Sequence, residues 1–108
     1  MLQYIIKKIF NRSSEYTVNQ IDEKTLNELR KNVKNLVLVD VRSVQEYNEG
    51  HMRGAILMQS FEAERKAEMI LPDKYAFIVL YCSSGARSRK VARILLKKGY
   101  RNINVLEQ

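Results

Sequence analysis

The sequence predicts an α/β domain built on a mainly parallel, five-stranded sheet that is flanked by helices. Two runs of apolar and β-branched residues, at positions 36–39 and 75–81, show no polar alternation, which is typical of parallel strands covered on both faces. Segments with apolar residues at helical spacing alternate with the strands. A chain of 108 residues is long enough for one hydrophobic core, so a single folded domain is expected.

Each predicted element has local sequence signals. Strands are predicted at residues 16–21, 36–39, 55–58, 75–81 and 102–106, and helices at residues 23–31, 61–70 and 87–98, with a short helix between Ser43 and Gly50. Asp22 and Ser60 are placed to cap the first and third helices. Ser43 and Glu46 have the spacing of a capping box, and Gly99 follows the last helix as a C-cap.

An apolar stripe at residues 2–10 predicts an amphipathic helix ahead of the domain. The apolar positions follow helical spacing and are Leu2, Ile5, Ile6, Ile9 and Phe10. The run is too short to span a bilayer and lacks the features of a signal peptide. We expect this helix to pack on the domain, with a dimer contact or a membrane-surface anchor as alternatives.

Composition narrows the function classes. The net charge of +7 suggests anionic partners, but no aromatic residues interleave with the basic ones as a nucleic-acid platform requires. A single cysteine excludes an internal disulfide. One cysteine and one histidine also make no credible metal site, and no metal or other cofactor is expected. A free reactive thiol suits a reducing compartment, and the cytoplasm is therefore the expected location.

The single cysteine, Cys82, stands where a buried strand meets a helix. The apolar run at residues 75–81 ends at Cys82, a Ser-Ser-Gly turn follows, and helical spacing begins near Arg87. The unpaired N–H groups of a helix N-terminus and the Arg87 charge both favour a thiolate. We therefore expect Cys82 to be a nucleophile, the alternative being a small buried apolar residue.

Two motifs give the chain a family resemblance. The segment Cys82-Ser83-Ser84-Gly85-Ala86-Arg87-Ser88 resembles the C-x-x-G-x-R-S active-site loop of single-domain rhodaneses. Upstream, Asp40-Val41-Arg42, Glu46-Tyr47 and Gly50-His51-Met52-Arg53-Gly54-Ala55-Ile56 are similar to the family's D-V-R, E-[YF] and G-H-I-x-G-A motifs. The resemblance implies a rhodanese-like domain over residues 16–108. The predicted amphipathic helix then makes residues 1–12 an N-terminal helical extension, which the family does not always carry.

The length of the cysteine loop separates two related chemistries. Four residues lie between Cys82 and Arg87, whereas cysteine phosphatases have five, a wider loop that accommodates a tetrahedral phosphate. The resemblance therefore implies a sulfurtransferase that carries sulfur as a persulfide on Cys82. Its donor would be thiosulfate-like or a persulfide, and its acceptor a thiol or cyanide. A phosphatase or arsenate reductase, and a non-catalytic binding module on the same fold, are the alternatives.

The resemblance also suggests roles for the residues around the cysteine. The loop residues Ser83, Ser84, Gly85, Ala86 and Ser88 would supply N–H groups and hydroxyls to the bound sulfur. Arg87 would stabilise the loop and attract an anionic donor, or it would pair with a carboxylate in a structural role. Asp40 and Arg42 are expected to support the site as an ion pair. His51 is interpreted as a hydrogen-bonded structural residue.

The last predicted helix, residues 87–98, is strongly basic. It contains no acidic residue, and its basic positions beyond Arg87 are Arg89, Lys90, Arg93, Lys97 and Lys98. Such a face is commonly no more than solvated surface. The alternative is that it docks an acidic protein partner.

Overall fold

The computed structural model describes residues 7–11 and 17–107. The strands are β1 Lys7–Asn11, β2 Thr17–Ile21, β3 Leu36–Asp40, β4 Ile56–Leu57, β5 Phe77–Tyr81 and β6 Ile103–Leu106. The helices are α1 Glu23–Asn32, α2 Val44–Glu49, α3 Ala63–Ile70 and α4 Ala86–Lys97, with a 3-10 turn at Ser60–Glu62. None of the helices in the described part of the chain is long and apolar enough to cross a membrane.

In the part of the chain that the structure describes, six strands form one sheet in the order β1-β2-β6-β5-β3-β4. Strands β2 to β6 pair in parallel, and β1 adds an antiparallel edge to β2. The predicted α/β class and its five parallel strands are confirmed. Strand β5 lies inside the sheet between β3 and β6, so its carboxyl end reaches the edge where open α/β sheets bind ligands.

Strand alternation divides the core into two layers. Ile78 and Leu80 of β5 pack with α3 and α4, whereas Phe77, Val79 and Tyr81 face the layer that contains α1. Successive side chains of a strand point to opposite faces of a sheet. Cys82 continues the alternation and joins the α3–α4 layer. Tyr81 and Cys82, which are neighbours at the end of β5, therefore point to opposite faces of the sheet.

The N-terminal helix prediction is wrong where the structure can be compared with it. Residues 7–11 form strand β1, which pairs antiparallel with β2 and contains a bulge between Lys8 and Phe10. Residues 1–6 lie outside the described residues. An isolated helix of this length is marginal in water, and pairing instead satisfies the backbone groups along the open edge of β2. The spacing of the apolar residues could not reveal that β2 has an open edge with which this segment pairs.

Two of the three N-terminal caps predicted from the sequence are confirmed. The Asp22 carboxylate accepts the Thr25 N–H at 2.7 Å, and Ser43 and Glu46 form the reciprocal capping box that was predicted. Ser60 does not cap a helix as expected, because it lies inside a 3-10 turn and α3 begins only at Ala63. Gly99 was predicted as the C-cap of the last helix, but Lys98 takes that position, and Gly99 follows it with a left-handed φ of 92°.

Candidate active site

Cys82 lies at the carboxyl end of β5, immediately before the N-terminus of α4. Its residue surface is only 2% exposed, and its sulfur accepts a hydrogen bond of 2.9 Å from the Gly85 N–H. The loop thus turns back on the thiol and presents backbone donors to it. Such an arrangement suits an anionic sulfur, since it provides fixed partial positive charges without a side-chain cation in contact.

The surroundings of Cys82 favour the thiolate. Burial by itself raises the pKa of the Cys82 thiol, but the Ser88 hydroxyl and the N–H groups of Ser88, Ser84 and Gly85 lower it by more. The net result is a pKa below that of an ordinary thiol. A cysteine that is both buried and stabilised as an anion differs from a structural apolar cysteine, whose pKa burial would raise.

Ser88 contributes a second polar group to this cradle. Its side chain is fully buried, and its hydroxyl has no hydrogen-bond partner of standard geometry among the described residues. Because a hydroxyl can rotate, it remains available to a sulfur anion beside it. An unpartnered buried hydroxyl is costly in a purely structural setting, so its position points to a ligand or reacting group.

Gly85 is the residue that gives the loop its shape. Its φ of 91° lies in the left-handed region, where a side chain is unfavourable. A β-carbon at this position would also come within 2.7 Å of the Arg89 guanidinium. The glycine therefore lets the loop turn so that its own N–H reaches the Cys82 sulfur.

Arg87 is fastened by a carboxylate from another element. Its guanidinium donates hydrogen bonds of 2.7 and 3.1 Å to the two oxygens of Glu46, and one of 2.9 Å to the Ser83 hydroxyl. This bidentate pair ties the cysteine loop to the start of α2. Arg87 is thus paired with a carboxylate, which was the structural role the sequence left open and which is compatible with an additional role toward a ligand.

Glu46 therefore makes two sets of contacts. One of its oxygens accepts the Ser43 N–H at 3.0 Å, completing the capping box, while the carboxylate also holds Arg87. The hydrogen bonds from Arg87, followed by those from Ser43, lower the pKa of Glu46 to about 2. The carboxylate stays ionised down to strongly acidic pH as long as these bonds persist.

Asp40 and Arg42 form the expected ion pair on the other side of the sheet. The Arg42 guanidinium donates to both Asp40 oxygens, the shortest distance being 2.7 Å, and to the Gly50 carbonyl at 2.6 Å. Asp40 is fully buried and also accepts the Tyr81 hydroxyl at 2.9 Å. The Tyr81 oxygen in turn accepts the Met52 N–H at 3.0 Å. This network joins the ends of β3 and β5 to the loop before β4.

His51 takes the hydrogen-bonded position that the sequence interpretation assigned to it. Its Nδ1 lies 2.8 Å from the Tyr47 carbonyl, and its ring stacks on the Tyr47 ring with 3.7 Å between centroids. The Tyr47 hydroxyl donates to the Ala55 carbonyl at 2.7 Å. Among the described residues, these contacts connect His51 to Tyr47 and not to the cysteine loop.

The exposed face of α4 is basic, as the sequence indicated, with one exception. Arg89, Lys90, Arg93 and Lys97 are exposed. Lys98 does not belong to this face, because its ammonium is 3.1 Å from the Glu68 carboxylate and its side chain is only 17% exposed. Spacing along the sequence could not reveal this contact, since Glu68 belongs to a different helix.

Two residues of the site were not recognised as such from the sequence. Glu46 was noted for its capping box and as part of a family motif, but not as the partner of Arg87. Tyr81 was counted as an apolar strand residue, although it bridges Asp40 and Met52. A tyrosine at the end of an otherwise apolar strand was an available signal, because a buried hydroxyl needs a partner. The Glu46 contact joins residues 41 positions apart and had no such signal.

The sheet is mainly parallel, and the Cys82 thiol lies at the carboxyl end of a central strand, surrounded by the loop that follows. The fold and the site together define an α/β domain whose functional site is a cysteine loop. The profile of the family described as "Rhodanese-like domain" matches residues 24–108. The chain belongs to the rhodanese-like family.

Similar proteins agree with this assignment. The chain is 30% identical over 83 residues to a sulfurtransferase of Allochromatium vinosum, covering 77% of this chain and 76% of that protein. It is 34% identical over 103 residues to a "Probable molybdopterin-synthase adenylyltransferase" of Porphyra purpurea, covering 93% of this chain. The chain spans only 26% of that second relative, so it corresponds to a part of the longer protein.

A solved structure supports the fold directly. The solution structure of the rhodanese-like domain of the Alr3790 protein from Anabaena sp. matches with a TM-score of 0.73 and 25% sequence identity. The match covers 82% of this chain and 67% of that one.

Proposed function

We propose that this protein is a sulfurtransferase that carries sulfur as a persulfide on Cys82. The observation that carries the proposal is the Cys82 thiol itself, which is buried, has a lowered pKa and accepts the Gly85 N–H at 2.9 Å. A nucleophile of this kind can attack a divalent sulfur, and the same donors can then stabilise the sulfur anion that results.

The reaction takes place in two balanced steps. The Cys82 thiolate attacks the outer sulfur of a donor such as thiosulfate, the new S–S bond forms as the donor's bond breaks, and the electron pair leaves with sulfite. The persulfide sulfur is then attacked by a thiolate or by cyanide, which takes it and returns Cys82 to the thiolate. Neither step needs an external oxidant or reductant.

The loop residues have distinct roles in this scheme. The N–H groups of Ser84, Gly85 and Ser88, with the Ser88 hydroxyl, stabilise the anionic sulfur. Ser83, Ala86 and Arg87 complete the loop, and the pair between Arg87 and Glu46 holds its shape. Asp40, Arg42 and His51 are supporting residues, because their contacts are to scaffold groups and not to the thiol.

Loop length favours sulfur transfer over phosphate chemistry. Four residues separate Cys82 from Arg87. The two terminal nitrogens of the Arg87 guanidinium donate hydrogen bonds to Glu46 and Ser83 and are therefore not directed at a phosphate site. The physiological donor is proposed to be thiosulfate-like or a persulfide, and the acceptor a thiol or cyanide. The proposal also includes a cytoplasmic location, which suits a free thiol, and an acidic protein partner for the basic face of α4.

Intact mass spectrometry tests the reaction. After incubation with thiosulfate and removal of excess donor, the wild-type protein should gain the mass of one sulfur atom, and cyanide should remove it with formation of thiocyanate. Cys82→Ser should show neither change. Ser84→Ala is the matched control, because it alters an exposed loop hydroxyl and keeps the backbone N–H that faces the thiol.

A second assay distinguishes the alternatives. Hydrolysis of an aryl phosphate should remain at background for the wild type. Phosphatase turnover that disappears in Cys82→Ser would contradict the proposal in favour of a phosphatase. Absence of both sulfur loading and hydrolysis would favour a non-catalytic binding domain.

A further inference from the structure

A groove on the face of the sheet opposite to Cys82 gathers basic side chains from α1 and from the loop before β4. Its larger hollow has a volume of about 620 Å³, and a second hollow of about 250 Å³ adjoins it at Arg30, which lines both. Leu38 lines the second hollow and belongs to the core layer that contains α1, whereas Cys82 belongs to the α3–α4 layer. The groove is therefore separate from the cysteine loop.

The groove carries positive charge without compensation. The cations that line it are Arg30, Lys31, Lys34 and Arg53, and no acidic residue stands beside them in either lining. None of the four forms an ion pair with another residue in the described part of the chain. Cations that converge on one concave surface without counter-ions raise the local positive potential and attract an anion.

Stabilisation of a helix end explains only part of this cluster. Arg30 and Lys31 lie in the last turn of α1, where basic side chains interact favourably with the helix dipole. Arg53 comes from a loop 23 positions beyond Arg30 and has no such role. The Arg30 guanidinium donates a hydrogen bond to the main-chain carbonyl of Arg53. This neutral acceptor fixes the guanidinium in place and leaves its charge available to a ligand.

The other lining residues indicate what kind of anion fits. The second hollow is also lined by the aliphatic side chains of Val33, Leu36 and Leu38, the first two of which are half-buried. Asn27 adds an exposed amide that can both donate to and accept from a peptide main chain. Neither hollow is lined by an aromatic residue on which a nucleobase could stack. Carboxylates joined to an aliphatic side chain match this combination better than phosphates do.

We infer that this groove binds an acidic peptide segment of a partner protein, in which Asp or Glu residues flank an aliphatic residue. The carboxylates pair with Lys31 and Arg53, and the aliphatic side chain packs on Val33 and Leu36. This site does not depend on the proposed sulfur transfer. It also differs from the basic face of α4, which lies on the other side of the sheet.

Binding of a synthetic peptide tests the inference. The probe is a fluorescein-labelled peptide of sequence Asp-Glu-Leu-Glu-Asp, followed by fluorescence anisotropy with the full chain. Binding should be saturable and should weaken as the ionic strength rises, because salt screens exposed charges. A peptide with Asn and Gln in place of the acids should not bind. Replacing the central leucine of the probe by serine should weaken binding about threefold, because the apolar contact is lost.

Two substitutions in the groove should weaken binding of the acidic peptide. Arg53→Gln and Lys31→Gln should each raise the Kd about three- to fivefold, the range expected for a partly exposed ion pair. Both side chains are exposed, and Arg53→Gln keeps the main-chain carbonyl that accepts from Arg30. The melting temperature should therefore stay close to that of the wild type, which separates loss of binding from loss of folding.

Lys90→Gln is the matched control. Lys90 is exposed on α4, on the other side of the sheet, and its substitution removes the same unit of charge. The Kd should stay within about 1.5-fold of the wild type, because a distant surface charge acts only through a screened field. Equal losses in Lys90→Gln and Arg53→Gln would overturn the inference in favour of attraction by net charge.

Amide chemical shifts of the isotopically labelled protein locate the peptide. Addition of the probe should shift signals of residues 27–38 and 52–54 and leave those of α4 unchanged. Shifts confined to α4, or no saturable binding at millimolar peptide, would overturn the site. Displacement of the labelled peptide by an equal or lower concentration of tripolyphosphate, or full binding by the serine-containing probe, would show a general polyanion surface and not a peptide groove.

Discussion

Two arginine–carboxylate pairs lie at the same edge of the sheet, and they differ in burial. Asp40 pairs with Arg42 and Glu46 pairs with Arg87, each with a shortest distance of 2.7 Å. The side chains of the first pair are 0% and 17% exposed, whereas those of the second are 32% and 35% exposed. The shortest N–O distances are the same, and the two pairs differ in how much of their side chains is exposed to solvent.

This difference teaches that similar contacts can have different consequences. Removing one partner of a buried pair leaves an uncompensated charge where water cannot solvate it, which destabilises the fold. A partly exposed pair contributes less net stability, because solvent screens it and holding two flexible side chains costs entropy. We therefore expect the Asp40 pair to govern stability and the Arg87 pair to govern the shape and electrostatics of the cysteine loop.

The largest expected effect is from Asp40→Asn. The substitution keeps the shape of the side chain but leaves the Arg42 charge without its carboxylate, and it weakens the contact to Tyr81. The free energy of unfolding should fall by about 3 kcal/mol. Denaturant unfolding followed by circular dichroism measures this loss.

Glu49→Gln is the control for that measurement. Glu49 is exposed, and its contact with Gln45 is long, at 3.5 Å. It should leave the midpoint of unfolding essentially unchanged. If Asp40→Asn were no more destabilising than Glu49→Gln, burial would not distinguish the two pairs.

The next effect concerns Arg87→Ala, which should act on the thiol more than on stability. The Cys82 thiolate and Arg87 attract each other, as seen in the raised pKa of Arg87, to which Glu46 contributes most and Cys82 in addition. Removing the guanidinium should raise the pKa of Cys82 and lower sulfur transfer by about tenfold.

The pH dependence of iodoacetamide alkylation measures that change in the pKa of Cys82. For the wild type, the midpoint should lie below the value for a free thiol, and it should move up in Arg87→Ala. Arg87→Lys should lie between the two, because an ammonium restores the charge without the bidentate geometry. If Arg87→Ala lost more stability than Asp40→Asn, the expectation that the buried Asp40 pair governs stability would be wrong.

The smallest effect is a pH dependence of stability that comes from Glu46. Its folded pKa of about 2 lies below its ordinary value of 4.5, mainly because of Arg87. A carboxyl group with a lowered pKa contributes stability that is complete above pH 4.5 and is lost as the pH falls toward about 2. The wild type should therefore melt above Glu46→Gln at neutral pH, and this difference should vanish in strong acid.

Thermal melting of both proteins across that pH range measures the effect. The contribution of Asp40 is present in both proteins and cancels in the difference. A gap in melting temperature that is constant from neutral pH to about pH 2 would show that Glu46 is not held ionised by Arg87.

The central elements and the N-terminal segment show where sequence patterns predict structure and where they do not. The apolar runs at β3 and β5 and the spacing in α1 and α4 predict their elements well, because burial on both faces or on one helical face leaves a periodic pattern. The stripe in residues 2–10 fits a helix equally well. Pairing of β1 with β2 prevailed because it satisfies the edge of the sheet, which no local pattern encodes.

The candidate site divides in the same way. Cys82, Gly85 and Arg87 are close in sequence, so their chemistry could be predicted from the turn that joins a strand to a helix. The ion pair of Asp40 and Arg42 was also local, at two residues apart. The partners from other elements, Glu46 and Tyr81, could not be read from the sequence in that way.

By itself, the sequence determined the α/β class, the order of the five parallel strands along the chain and the strand–turn–helix that carries Cys82. These properties follow from backbone preferences and hydrophobic period, which act over a few residues. The tertiary structure alone decided which carboxylate pairs with Arg87. Charge pairing depends on distances between elements far apart in sequence, and only the packed sheet brings Glu46 to Arg87.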